Sequence, residues 1–146
     1  MINFIFSGNI EIKEVEDNLK KVLKHWGFGE ICASIYAVLA LSDKPLTANE
    51  ISKRIEYAYT TTINALNNSI GSGHVRKTRI NGKNVYFIDA DISDIIKERL
   101  EKFLKILERT KESIENLDPS HKKKLKNTLE MVKRATHFLQ IIEEKK

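Results

Sequence analysis

Between positions 59 and 70 the chain carries Thr60, Thr61, Asn64, Asn67 and Asn68, short neutral side chains at helical spacing. Thr and Asn are poor helix formers, because they compete with the backbone for hydrogen bonds and lose rotamer freedom. A solvated helix face is ordinarily built from Lys and Glu. A face built against propensity points to a surface that hydrogen-bonds to something else. A second set follows directly: Arg76, Lys77, Arg79 and Lys83, four cations around an Asn81-Gly82 pair. Their chemistry is attraction to a polyanion. Neutral donors and acceptors beside cations suit a charged polymer whose edges are read: Asn pairs with adenine edges, and Thr hydrogen-bonds or touches a thymine methyl.

Other chemistries find little support. The four histidines, His25, His74, His121 and His137, form no His-Glu-x-x-His pattern, and none neighbours the single cysteine, Cys32. Gly71-Ser72-Gly73 lacks the Gly-x-Ser-x-Gly elbow of a serine hydrolase, and no phosphate loop is present. One cysteine excludes a disulfide framework and a cysteine-rich zinc site. The expectation is a protein that is not an enzyme and needs no metal or cofactor. Cys32 reads as a small buried hydrophobe.

The elements that must position these groups are legible in order. Ile12, Val15, Leu19, Val22, Leu23 and Trp26 recur at three- and four-residue steps, which predicts a helix from Asn9, its N-cap, to Trp26, stopped by Gly27. Residues 30–41 predict a buried helix, ended before Pro45. Leu46-Thr47-Ala48-Asn49-Glu50-Ile51 predicts the best-defined helix start. Thr47 and Glu50 stand at capping-box spacing, with Leu46 and Ile51 at the positions of a hydrophobic staple. That helix runs to about Ile55 and breaks at 56–58. The next spans about Tyr59 to Ile70, with Ile63, Leu66 and Ile70, and Tyr59 beside them, expected inward and Ala65 expected among the polar residues. Asn81-Gly82 between two β-prone runs predicts a two-stranded hairpin, Val75 to Ile80 and Lys83 to Ile88.

Beyond Asp89-Ala90-Asp91 a long helix is predicted to about Leu117. Ile96, Leu100, Phe103, Leu107, Thr110, Ile114 and Leu117 form a heptad seam on it. Asp118-Pro119 restarts a last helix to about Glu143, as N-cap and first helical residue. Leu125, Leu129, Val132, Leu139 and Ile142 lie on one side. The two helices are expected to form an antiparallel hairpin with apolar surface left for a second copy of the chain. Lys122, Lys123, Lys124 and Lys126 read as a solvated turn.

Composition agrees. The 146 residues are 41% hydrophobic and 31% charged, enough apolar material for a core plus long solvated helices. Net charge is +5. Within residues 51–88 the cations are Lys53, Arg54, Arg76, Lys77, Arg79 and Lys83 against Glu56 alone, so that segment accounts for the entire excess. No apolar run reaches the roughly 18 residues of a membrane helix. The apolar 1–6 stretch has no basic leader, so a cytoplasmic protein is expected.

The order of elements and the run Ile35-Tyr36-Ala37-Val38-Leu39-Ala40-Leu41-Ser42-Asp43-Lys44-Pro45-Leu46-Thr47 resemble MarR-superfamily winged helix-turn-helix regulators, most closely the GbsR-like branch. Ala65-Leu66, Gly73 and Val75-Arg76-Lys77 are similar to that family's recognition helix and the lead-in to its wing. The resemblance covers about Phe28 to Ile88. The chain departs from it in Glu56, where the family has Gly, and Ala58, where it has Ser. It also departs in Ile63 and Ile70, which stand one place after the family's apolar positions, here Thr62 and Ser69.

The resemblance implies a mainly α protein with a small β-hairpin wing. Residues 1–28 would be an N-terminal helix for dimerisation or packing, 29–90 the winged module, and 91–146 a helical hairpin for dimerisation. It implies a dimeric, DNA-binding transcription regulator; with the residue chemistry above, a homodimeric repressor on palindromic double-stranded DNA is expected, with Thr60, Thr61, Asn64, Asn67, Asn68, Arg76, Lys77, Arg79 and Lys83 at the interface. An unidentified small-molecule effector is a further possible partner, since some relatives respond to one. A winged-helix module that binds only other proteins is the alternative, favoured by the Glu56 turn and by the lack of Arg in the 59–70 helix.

Overall fold

The computed structural model describes the backbone of residues 2–144 and the side chains of residues 11–144. The helices are α1 (Ile2–His25), α2 (Glu30–Ala40), α3 (Ala48–Ile55), α4 (Tyr59–Gly71), α5 (Ile92–Glu115), α6 (Pro119–Lys124) and α7 (Lys126–Glu144). The strands are β1 (Leu46–Thr47), β2 (Val75–Ile80) and β3 (Lys83–Ile88). The chain divides into two compact units, residues 1–92 and 93–146.

The first unit is built around α2, whose residues Ala33 to Leu39 are all buried. Ile35, Val38, Leu39, Leu46, Ile51, Leu66, Val75 and Tyr86 belong to one core cluster. Burying each large aliphatic side chain there contributes about 1.5–3 kcal/mol. Thr47 caps α3 as its spacing demands. Its hydroxyl accepts the Glu50 amide at 3.1 Å, and the Glu50 carboxylate accepts the Thr47 amide at 3.0 Å. The staple residues Leu46 and Ile51 are both buried.

Three expectations are corrected in this unit. First, α1 starts at Ile2, so position 9 lies inside the helix and is not its N-cap position; the Asn9 side chain lies outside the described residues. Second, the sheet has three strands, in the order β1-β3-β2. The capping segment itself is the third: Leu46 and Thr47 pair antiparallel with Tyr86 and Val85. Extended backbone is what an N-cap residue adopts, so the segment that starts α3 is also free to pair with β3. Third, α4 buries Thr62, Ala65, Leu66 and Ser69. Ile63 and Ile70 are half-buried, and Tyr59 is 55% exposed. Thr62 tolerates full burial because its hydroxyl donates to the Ala58 carbonyl at 3.0 Å. Ala65 is therefore core and no part of the polar face.

The β2–β3 turn takes the conformation its residues favour, with φ of 51° at Asn81 and 76° at Gly82. Arg79 reinforces it by donating to the Gly82 carbonyl at 2.7 Å.

In the second unit α5 ends before the predicted Asp118-Pro119 restart. Asp118 caps α6, its carboxylate accepting the His121 amide at 3.0 Å and meeting His121 Nδ1 at 2.7 Å. The last helix is not continuous: Leu125, at φ −102° and ψ 16°, separates α6 from α7. Glu101, Leu104, Lys105 and Glu108 of α5 and Glu143 of α7 line one groove, which sets the end of α7 beside the middle of α5. Ile114, Thr136 and Leu139 are buried. The heptad seam does not bury evenly: Phe103 is 53% exposed. Among the described residues no helix is long and apolar enough to cross a membrane.

Candidate nucleic-acid interface

The candidate site is the exposed face of α4 together with the hairpin beside it. At about 100° per residue, positions 60, 64, 67 and 68 share one arc of the helix. Thr60, Asn64, Asn67 and Asn68 are exposed there, and Thr61 is half-buried at its edge. The register error in Ile63 and Ile70 does not disturb this arc, because Thr62, Ala65 and Ser69 define the opposite, buried side. α4 begins at Ala58 with no side-chain cap, so its first-turn amides are not taken by a side chain there.

The hairpin projects from the core. Val75 is buried at its base, and every later residue of β2 is exposed. In the antiparallel register Lys77 stands opposite Tyr86 and Arg79 opposite Asn84. Directly opposed residues share a face, so both cations lie on the face that carries Tyr86 and Asn84. Lys83 and Lys77 are exposed.

The six cations of residues 51–88 are not one patch. Arg54 pairs with Glu16 of α1 at 3.6 Å, and Arg76 pairs with Asp89 at 3.1 Å. Glu16 and Asp89 lie outside the counted segment, so the linear tally could not register them. Arg76 is thus a base-of-wing residue held by a carboxylate, while Lys77, Arg79 and Lys83 carry the charge of the projecting part.

Sequence reasoning missed three residues that border this surface. Asn49, Tyr59 and Asn84 line a groove of about 320 Å³ with Thr47, Lys83 and Tyr86, between α3, α4 and β3. Tyr59 was assigned inward by its apolar character, and its exposure is the signal that a single sequence hides. Burial pushes the Tyr86 phenol up, with the neighbouring Tyr59 adding to the effect. The phenol of Tyr86 is therefore a neutral hydroxyl at ordinary pH.

The remaining reactive side chains have structural settings. His74 is buried and stacks on Phe28, with ring centroids 5.0 Å apart. The Cys32 thiol points at the Ala65 carbonyl, 3.9 Å away. Among the described residues no group of three His, Cys, Asp or Glu side chains is placed to hold a metal ion.

A helical pair leading into an exposed helix and then a three-stranded hairpin sheet is an arrangement found in solved proteins. A transcriptional regulator of known structure superposes with a TM-score of 0.57 at 7% identity, covering 92% of this chain and 97% of its own. The ST1889 protein of the thermoacidophilic archaeon Sulfolobus tokodaii gives a TM-score of 0.50 at 21% identity over 68% of this chain and 97% of its own. The chain has a winged-helix fold. The MarR family transcriptional regulator Sco5413 of Streptomyces coelicolor is also similar, at a TM-score of 0.45 and 15% identity over 91% of this chain and 93% of its own. At these identities the likeness is one of fold. No family model matches the sequence, and no curated protein does.

Proposed function

We propose that this protein is a cytoplasmic, MarR-like transcriptional regulator, of the GbsR-like kind in its turn sequence, that binds palindromic double-stranded DNA as a homodimer and represses by occupying a promoter. The observation that carries the reading is the exposed Thr and Asn arc of α4 standing beside a projecting hairpin with Lys77, Arg79 and Lys83 on it. α4 enters the major groove, where Thr60, Thr61, Asn64, Asn67 and Asn68 meet base edges. The hairpin lies over the neighbouring minor groove, its cations and Arg76 near the phosphates.

Dimerisation is supported by apolar side chains left uncovered within each unit. On α1, Ile12 is 51% and Val15 48% exposed. In the second unit Ile106, Met131 and Phe138 are 56%, 60% and 62% exposed. Large apolar side chains left this exposed on a helix are a feature of interaction faces. Two copies about a two-fold axis place their α4 helices on half-sites roughly 10 base pairs apart.

The deciding experiment is a titration against random and genomic duplex fragments at several salt concentrations. Salt-sensitive binding with one preferred palindromic fragment is expected. No binding even at low salt overturns the reading in favour of a winged-helix module that binds only proteins.

A further inference from the structure

A cleft of about 120 Å³ lies between α1, α2 and the end of α3, and neither the α4 arc nor the hairpin takes part in it. A cavity of roughly 150 Å³ holds a benzene ring, so this one has room for about four or five heavy atoms. Val38 of α2 and Ile55 of α3 give it an apolar part. Its polar lining is unbalanced. Each cation there already faces a carboxylate: Lys13 faces Asp17 at 3.9 Å, Lys20 faces Glu30 at 3.4 Å, and Arg54 faces Glu16 at 3.6 Å. The acceptors are left over. Glu16 Oε1 is shut off from solvent and accepts no hydrogen bond, since 3.6 Å from the Arg54 guanidinium is an ion pair but too long for one. A buried carboxylate oxygen without a donor is costly and calls for a partner. The buried Ser34 donates its hydroxyl hydrogen to the Glu30 carbonyl at 2.9 Å, which leaves its oxygen free to accept. Glu56 also lines the cleft, is exposed, and among the described residues pairs with no cation. Its backbone is left-handed, with φ 61°. Strain of that kind in a residue other than glycine persists where the side chain has a role.

We infer that this cleft binds a small primary amine, its ammonium donating to Glu16, Glu56 and Ser34 and its alkyl chain lying against Val38 and Ile55. An ammonium carries three N–H donors and no acceptor, which matches three acceptors lacking donors. An anionic ligand would meet Glu16 and Glu56 while every cation beside them is already paired. A metal ion would need a third ligand of the right kind, and among the described residues no group of three His, Cys, Asp or Glu is placed to hold one. The bound amine would supply the donor that the Glu16 oxygen lacks and the countercharge that Glu56 lacks. It would also tie α1 to the turn between α3 and α4. The inference stands apart from the DNA-binding reading, because it uses none of the residues assigned to DNA.

The test titrates the full-length protein, without DNA, with propylammonium and follows backbone amides by NMR. Saturable shifts are expected at Glu16, Ser34 and Glu56, with a dissociation constant of about 0.1–1 mM, within reach of a ligand of about four heavy atoms. Tetramethylammonium, which has the charge but no N–H, and propionate should give no saturable shift. Glu16→Gln and Glu56→Gln should each weaken binding about tenfold or more, the worth of a hydrogen bond to a charged group. Glu130→Gln, the same charge change on the exposed surface of α7, should leave it unchanged. The same spectra report folding; should Glu16→Gln disturb it, the exposed Glu56→Gln decides. Absence of saturable shifts with propylammonium overturns the inference. So does equal binding of tetramethylammonium, wild-type binding by Glu56→Gln, or an equal loss in Glu130→Gln.

Discussion

Thr47 and Glu50 satisfy each other reciprocally across the first turn of α3, each side chain accepting the other's backbone amide at 3.0–3.1 Å. The same Thr47 pairs with Val85 as the last residue of β1. One residue thus starts a helix and completes a sheet edge. Thr47→Ala is expected to destabilise the protein by about 1 kcal/mol, the usual worth of an N-cap. Urea unfolding measures it. A loss within error would mean that strand pairing alone holds the segment.

The capping box also predicts a pH dependence. The Thr47 backbone and hydroxyl hold the Glu50 carboxyl below its ordinary value of 4.5, with Lys44 and Lys83 adding smaller pulls. A depressed carboxylate contributes stability above its unfolded value, and that contribution fades as pH falls through the folded value. Glu50→Gln should therefore begin to lose its stability deficit relative to wild type as pH falls below about 4.5, and lose the rest as pH falls through the depressed folded value. Unfolding curves of both proteins between neutral pH and pH 3 check the sign.

Glu56 closes α3 with φ 61° and ψ 42°, the left-handed region that glycine occupies at no steric cost. Glu56→Gly removes that strain but loosens the unfolded chain. A net gain of roughly 0.5–1 kcal/mol is expected, with DNA affinity unchanged. A loss of stability would show that the exposed Glu56 side chain has a favourable role.

The register of α4 is testable by contrast between neighbours. Thr62→Val removes the hydroxyl's bond to the Ala58 carbonyl, which still accepts the Thr62 amide, and should cost about 0.5–1.5 kcal/mol, whereas Thr62→Asp buries a charge and should prevent stable folding. Asn64→Ala, on the exposed arc, should leave stability within about 0.5 kcal/mol. Thermal melts of the three variants decide it; tolerance of Asp at position 62 would place the polar face elsewhere.

Binding should divide the interface residues into two kinds. Asn64→Ala and Asn68→Ala are expected to reduce discrimination between preferred and random duplexes by about 1–3 kcal/mol for a bidentate contact. Arg79→Ala and Lys83→Ala should weaken all duplexes alike and each lower the salt slope by about one. Anisotropy titrations at several salt concentrations separate the outcomes. Unchanged discrimination in both Asn variants would sink the groove-facing assignment of α4.

Phe138→Asp places a charge on the exposed apolar surface of α7. Light scattering should report a shift from dimer to monomer, with the helical content unchanged. A wild-type monomer at high concentration would remove the dimer from the mechanism.

What the sequence by itself determined was whatever short-range chemistry controls. The Thr47/Glu50 box, the Asn81-Gly82 turn and the Asp118-Pro119 restart each depend on residues within a few positions of one another. The tertiary structure decided what depends on distant partners. A two-residue strand is too short to leave a periodic signal, so β1 exists only because β3 lies beside it. The buried face of α4 was misread by one position because Thr62 and Ser69 look polar. A hydroxyl that bonds back to its own helix can enter a core, and the packing of α2 and α3 selects that face over Ile63 and Ile70. The cations of residues 51–88 are one run in the sequence, and folding brings Glu16 to Arg54 and Asp89 to Arg76. The groove of Asn49, Tyr59 and Asn84 gathers residues from three elements, and only packing brings such residues together.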